Sequence, residues 1–155
     1  MKFVADEMVG KLARWMRLAG YDTLYRKAIS DEELLAVAQR ENRIILTRDR
    51  KLPAGTESQQ ILIVSSENPF EQFITVARHF RLDVESDAFK RCLECNGVLV
   101  LVRKEDHKDG IPPHVYRTQT TFSQCPGCGR LYWPGTHYES MRRRLALVRK
   151  TEPPS

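Results

Sequence analysis

Two cysteine pairs constrain this chain more than any other feature. Cys92-Leu93-Glu94-Cys95 and Cys125-Pro126-Gly127-Cys128 account for all 4 cysteines in 155 residues. Each pair is a knuckle that turns two thiolates toward one point. Two knuckles complete the tetrahedral site that Zn2+ usually occupies. Gly97 and Gly129 lie just after the second cysteine of each pair. A glycine there permits the tight turn that aims backbone amides at sulfur. Two disulfides would use the same residues, yet nothing else marks a secreted chain. A redox pair is a poorer match, because the pairs are alike and no thioredoxin-like pattern flanks them.

The cysteine-bearing part is also the basic part. The whole chain carries 25 Lys and Arg against 20 Asp and Glu, a net +5. Residues 1–87 hold 13 of those cations and 14 of the acids, a net −1; residues 88–155 hold 12 and 6, a net +6. A basic zinc ribbon meets phosphate more often than protein. The length suits one domain of residues 1–87 with a smaller unit of residues 88–155. No apolar run approaches the ~20 residues of a membrane span. Met1-Lys2-Phe3-Val4-Ala5 meets Asp6 too soon to read as a signal peptide. A cytoplasmic protein with reduced thiols is the expectation.

The first part reads as alternating strands and helices. Residues 2–5 form a short buried strand ending at Asp6. Met8, Leu12, Trp15 and Ala19 repeat at helical spacing and form an apolar face, and Gly20 ends that helix. Asp22–Tyr25 is a second strand. Ser30-Asp31-Glu32-Glu33 is a capping box that opens a helix to about Asn42. Ile44–Thr47 is a continuous apolar run, as in a parallel strand buried on both faces. Ile61–Val64 is another, and Asn68-Pro69 starts a third helix through Phe80. This order gives an α/β domain with a small, mainly parallel sheet. Residues 88–136 read as an antiparallel ribbon with strands at Val98–Val102 and near Val115–Thr118. Lys104–Pro113 would be the tip of its hairpin. A basic helix follows from His137 to Lys150, and the tail Thr151–Ser155 is expected to fray.

Ligands of open parallel sheets bind at the carboxyl ends of the strands. Asp6 and Asp49 follow two of those strands, and Asp31 opens the helix between them. Each has an ordinary alternative as a helix cap or turn residue. Together they would form an acidic cluster that is costly without a cation. Hard oxygen ligands of this charge suit Mg2+ or Mn2+. Such ions activate water and stabilise charge on a phosphoryl group. No GxGxxG or GxxxxGK[ST] loop is present, so no nucleotide cofactor is expected.

Three segments resemble a known family: Asp6 to Thr23, Ile44-Ile45-Leu46-Thr47-Arg48-Asp49-Arg50-Lys51-Leu52, and Cys125 to His137 with its Tyr132-Trp133-Pro134-Gly135 centre. The family is the Mut-seven C-terminal (Mut7-C) RNase domain, a PIN-like nuclease fold with an appended zinc ribbon. The resemblance runs from Lys2 to about Leu145. It implies a metal-dependent ribonuclease with acids at the sheet edge. Asp6 and Asp49 match the strand-end aspartates of that pattern. Asp31 matches the middle acid, with Glu32 and Glu33 as neighbouring alternatives, and Asp83 is an unaligned candidate for a fourth.

The expected function is endonucleolytic cleavage of single-stranded RNA. Asp6, Asp31 and Asp49 would hold Mg2+ or Mn2+, and Cys92, Cys95, Cys125 and Cys128 a structural Zn2+. Arg48, Arg130, Arg142, Arg143 and Arg144 would hold the RNA backbone. Lys11 and Arg14 would clamp phosphate near the metals, or serve as solvated helix charges. Trp133 and His137 are candidates to stack on bases, with Trp133 equally suited to fill the ribbon's core. The alternative is a non-catalytic RNA-binding, ribosome-binding or protein-binding ribbon module.

Overall fold

A computed structural model describes residues 1–52 and 59–150, the side chains of 149 and 150 excepted. The expected fraying of Thr151–Ser155 lies outside the described residues. Four strands, β1 (Phe3–Ala5), β2 (Thr23–Tyr25), β3 (Ile44–Thr47) and β4 (Ile61–Ile63), form a sheet in the order β2-β1-β3-β4. Every pairing in it is parallel, with Val4 opposite both Leu24 and Ile45. The helices are α1 (Gly10–Leu18), α2 (Asp31–Glu41) and α3 (Pro69–Phe80). The α/β architecture read from the sequence is therefore the one observed.

Strand alternation splits the core into two layers. Phe3, Ala5, Ile44 and Leu46 face Leu12, Met16, Phe73 and Val76 of α1 and α3. Val4 and Ile45 face the other way, onto Leu34, Val37 and Ala38 of α2. All four residues of β3 are buried, as its unbroken apolar run requires. The other apolar strand differs. Its last residue, Ile63, is exposed, because β4 is a sheet edge with no neighbour beyond it.

Start and stop signals act where the sequence places them. Asn68 caps α3 by accepting the Phe70 and Glu71 amides, with Pro69 at the first helical position. Ser30 accepts the Glu33 amide to cap α2. Gly20 ends the first helical segment at φ +97°, and a Cβ there would stand 2.3 Å from the Asp87 carbonyl oxygen. The start of that segment departs from its apolar spacing. Glu7–Val9 form a 3-10 turn, which rotates Met8 into solvent and buries Val9 instead.

The ribbon is a second, antiparallel sheet of β5 (Val100–Val102), β6 (Phe122–Gln124) and β7 (Leu131–Tyr132), in that order. Two local expectations are corrected. The segment 113–118 is a helix, α4 (Pro113–Thr118), not a strand. Pro113 fixes a helical φ at its start, and only Val115 of the run is buried. The hairpin tip, Lys104–Gly110, is two short 3-10 turns separated by a kink at His107. Ile111, Val115 and Phe122 form a small core of their own beside Trp133.

The last helix, α5 (Thr136–Lys150), returns to the first domain. Leu145 and Val148 are buried in the same cluster as Phe3, Met16 and Phe73. Among the described residues no helix is long and apolar enough to cross a membrane.

Candidate functional site

The four sulfurs come together as the spacing requires. Among the described residues they are the group of potential metal ligands whose ligand atoms all lie within 4.8 Å of one another. Cys92 Sγ lies 3.6 Å from Cys128 Sγ, and Cys95 Sγ lies 3.1 Å from Cys125 Sγ. Tetrahedral Zn–S bonds of ~2.3 Å place sulfurs ~3.8 Å apart, close to the first of these distances.

Both knuckles share one backbone plan. The Cys92 amide donates to the Gly97 carbonyl and the Cys125 amide to the Arg130 carbonyl. The Asn96 and Gly129 amides return to Cys92 and Cys125. Asn96 and Gly129 hold the matching left-handed positions, at φ 72° and 79°. In the first knuckle an asparagine, not Gly97, thus takes the conformation that glycine usually supplies. Gly97 serves another need: a Cβ on it would stand 3.0 Å from Cys125 Sγ.

The surroundings favour thiolate at Cys92 and oppose it at Cys95. Burial pushes the Cys92 thiol up, but hydrogen bonds from Tyr132 and the Cys95 and Glu94 amides outweigh it and hold it at about 6. Cys95 is pushed up to about 12, chiefly by its hydrogen bond with Cys125. Crowded sulfurs that resist ionising together are relieved by a divalent cation among them. The residues present fit zinc.

The ribbon is locked to the sheet through the first knuckle. Asn96 Oδ1 accepts the Thr23 amide at 2.9 Å, and its Nδ2 donates to Asp22 at 2.7 Å. Arg17, 4 % exposed, donates from Nε to the Thr23 carbonyl and from Nη1 to the Leu93 carbonyl. Burial pulls the Arg17 guanidinium below its ordinary value, and the Cys92 and Cys95 sulfurs oppose that. Arg91 donates to the Gly20 carbonyl, and Arg14 pairs with Glu94.

The acids meet at the carboxyl edge of the parallel sheet. Asp6, Asp31 and Asp49 line one cleft of about 430 Å3, with Glu7, Met8, Ile29 and Arg48. Glu32 and Glu33 are exposed on the same turn of α2 and do not line it. Asp83 lines a different hollow, with Arg81, Leu82, Val84 to Ser86 and Val148. Asp6 is fixed twice. Its Oδ1 accepts the Met8 amide at 2.7 Å, and its Oδ2 accepts the Thr47 hydroxyl. That hydroxyl, fully buried, also accepts the Asp49 amide at 2.9 Å. Asp49 in turn accepts the Lys51 amide at 2.8 Å. Thr47 therefore ties the two strand-end aspartates together. Its signal in the sequence was a hydroxyl at the last position of an otherwise aliphatic strand.

The turn roles allowed for Asp6 and Asp49 are filled as well, so each carboxylate has one oxygen set by local backbone. No described residue hydrogen-bonds the Asp31 carboxylate. The three acids do not close to the 4.8 Å grouping of the cysteines. Arg48 lines the same cleft, and its Nε is buried without a hydrogen-bond partner.

The expected RNA-binding residues fall into three groups. Lys11, Arg14 and Arg144 line a groove of about 460 Å3 beside α1. Arg142 lies over the Phe89 and Tyr138 rings and donates to the Tyr138 hydroxyl at 2.8 Å. Arg130, His137 and Arg143 are exposed. Trp133 is half-buried, 6.0 Å from the Phe122 ring in the ribbon's own core.

An α/β domain with acids along one sheet edge and a four-cysteine ribbon clamped to its side is the class this fold and site define. The family model described as the Mut7-C RNAse domain matches residues 1–145. The chain belongs to that family. Membership supports a nuclease-like, RNA-related role. No curated protein and no solved structure gives a significant match.

Proposed function

We propose that this protein is a metal-dependent endoribonuclease acting on single-stranded RNA. The observation that carries the reading is the cleft shared by Asp6, Asp31 and Asp49 at the carboxyl edge of the sheet. Asp6 and Asp49 would hold Mg2+ or Mn2+, with Asp31 as the third carboxylate. Bound there, the ion would activate water and offset charge at phosphorus. The chain's own residues supply the positioning. Thr47 fixes the separation of Asp6 and Asp49 through its hydroxyl. Arg48 lines the same cleft and would bring its positive charge to a phosphate oxygen there. Hydrogen bonds to that phosphate become stronger as negative charge builds in the transition state.

Cys92, Cys95, Cys125 and Cys128 would hold a structural Zn2+ that stiffens the ribbon around Arg130, and the cations of α5 would attract the RNA backbone. A cytoplasmic setting, where thiols stay reduced and available to metal, agrees with this reading. The test is incubation of pure protein with labelled single-stranded RNA, with and without added Mn2+. Internal cleavage that requires Mn2+ and disappears in Asp49→Asn is expected. Equal cleavage by Asp49→Asn would overturn the assignment. Binding without any cleavage would leave the ribbon as a recognition module.

A further inference from the structure

A second groove lies on the face where α1 and α3 pack. Its floor is aromatic. The Trp15 and Phe70 rings lie 4.9 Å apart, and Phe73 stacks behind Trp15 at 5.7 Å. Its rim is cationic, with Lys11 and Arg14 on α1 and Arg144 on α5. No acid lines it, although Glu94 pairs with Arg14 at the rim. The Arg144 guanidinium lies over both floor rings, 4.1 Å from the Phe70 centroid and 4.8 Å from that of Trp15.

We infer that this groove is a nucleotide subsite of the RNA strand, resting on the RNA reading above. A base would stack on the outer side of the Arg144 guanidinium, the platform that Phe70 and Trp15 support from below. The adjoining phosphates would lie on Lys11 and Arg14. Three observations point this way. Bases of single-stranded RNA stack on guanidinium planes as well as on aromatic rings, and in this groove two rings back one guanidinium. Its volume of about 460 Å3 falls within the ~300–1,000 Å3 of small-molecule sites. It is also continuous with the acids through one segment of chain. Asp6 caps the 3-10 turn that leads into α1, and the axial rise from Asp6 to Trp15 is roughly 15 Å. An extended strand of a few nucleotides spans that distance. Three elements that are far apart in sequence, α1, α3 and α5, build the platform, which is why neither Trp15 nor Phe70 reads as a binding residue in the sequence. A duplex keeps its bases stacked on each other, so the subsite selects single strands.

Equilibrium binding without added Mg2+ or Mn2+ tests this. The probes are an oligouridylate and an abasic oligonucleotide of equal length and charge. Phe70→Leu keeps apolar volume and removes the ring that holds the Arg144 guanidinium in place. It should weaken binding of the oligouridylate roughly tenfold and leave the abasic strand unchanged. Lys11→Gln, on an exposed helix face, should weaken both strands equally and lower the salt slope by ~0.7. An equal effect of Phe70→Leu on both strands, or none on either, would overturn the subsite while leaving the RNA reading intact. If Phe70→Leu fails to fold, Lys11→Gln decides: unchanged affinity for both strands overturns the proposal. Failure of the wild-type protein to bind either probe would overturn the subsite and the RNA reading together.

Discussion

Asn96 extends the parallel sheet without being part of it: its side-chain oxygen accepts the amide of Thr23, on edge strand β2, at 2.9 Å. The same residue bends the first knuckle around the metal site, at φ 72°. Metal site and sheet edge thus share one side chain. Asn96→Ala leaves the buried Thr23 amide unpaired and puts alanine in a left-handed conformation. A loss of roughly 2–4 kcal/mol is expected by denaturant unfolding. Asn96→Gly relieves the backbone only, so it should recover part of that loss and no more.

Zinc should be present at close to one ion per chain in purified protein, measured by elemental analysis. Cys125→Ser should lower both zinc content and melting temperature, because binding energy in such ribbons is folding energy. Intact Cys92–Cys95 or Cys125–Cys128 disulfides in the native protein would contradict the metal site.

Asp22 gives a pH-dependent part of the stability. Burial pushes its carboxyl up, but hydrogen bonds from Arg43 and Asn96 outweigh that and hold it below its ordinary value. A depressed carboxylate favours the fold above its unfolded pKa of ~3.9. Its contribution is complete above that value and is lost as pH falls toward the lower folded one. Asp22→Asn should therefore be less stable than wild type at pH 6, and the gap should narrow below about pH 4. Melting curves of the two proteins, taken in parallel, cancel the acid release of zinc that both undergo. A gap that is constant with pH would refute the assignment.

Thr47→Val tests how the acids are positioned. The swap keeps shape but removes the hydroxyl between Asp6 and the Asp49 amide. A stability loss of about 1–3 kcal/mol is expected, from the unpaired buried amide. In a Mn2+-dependent cleavage assay kcat should fall with KM little changed. Asp6→Asn should retain the helix cap, since asparagine caps as well as aspartate, and lose cleavage. Full activity in both variants would remove Asp6 and Thr47 from the site.

The sequence made the sheet legible because each strand is a short apolar run with a cap or turn signal on either side. The cysteines were legible because their spacing is local. The acids could be placed on one edge by topology alone, since Asp6 and Asp49 end parallel strands. What escaped was non-local or compact. Arg17 reads as an ordinary exposed helix cation, yet it is buried because the first knuckle covers it. Val115 to Thr118 carries strand-forming residues, but Pro113 and the single buried contact of Val115 make it helical. Met8 fits the helical spacing and fails only because the first turn is 3-10. Thr47 looked like the last residue of a strand, and its hydroxyl gains meaning only once Asp6 stands beside it.

The return of α5 changes what the ribbon is mechanically. The chain leaves the α/β core after Val84 and re-enters it at Leu145 and Val148, all three buried in one cluster. The ribbon is therefore a bracket bolted at both ends, with Asn96 and Arg17 as a third fastening in the middle. Under the proposed RNA reading, the distance from the cations of α5 to the acids of the sheet edge would then be set when the protein folds, and it would act as a ruler along which a bound strand is measured.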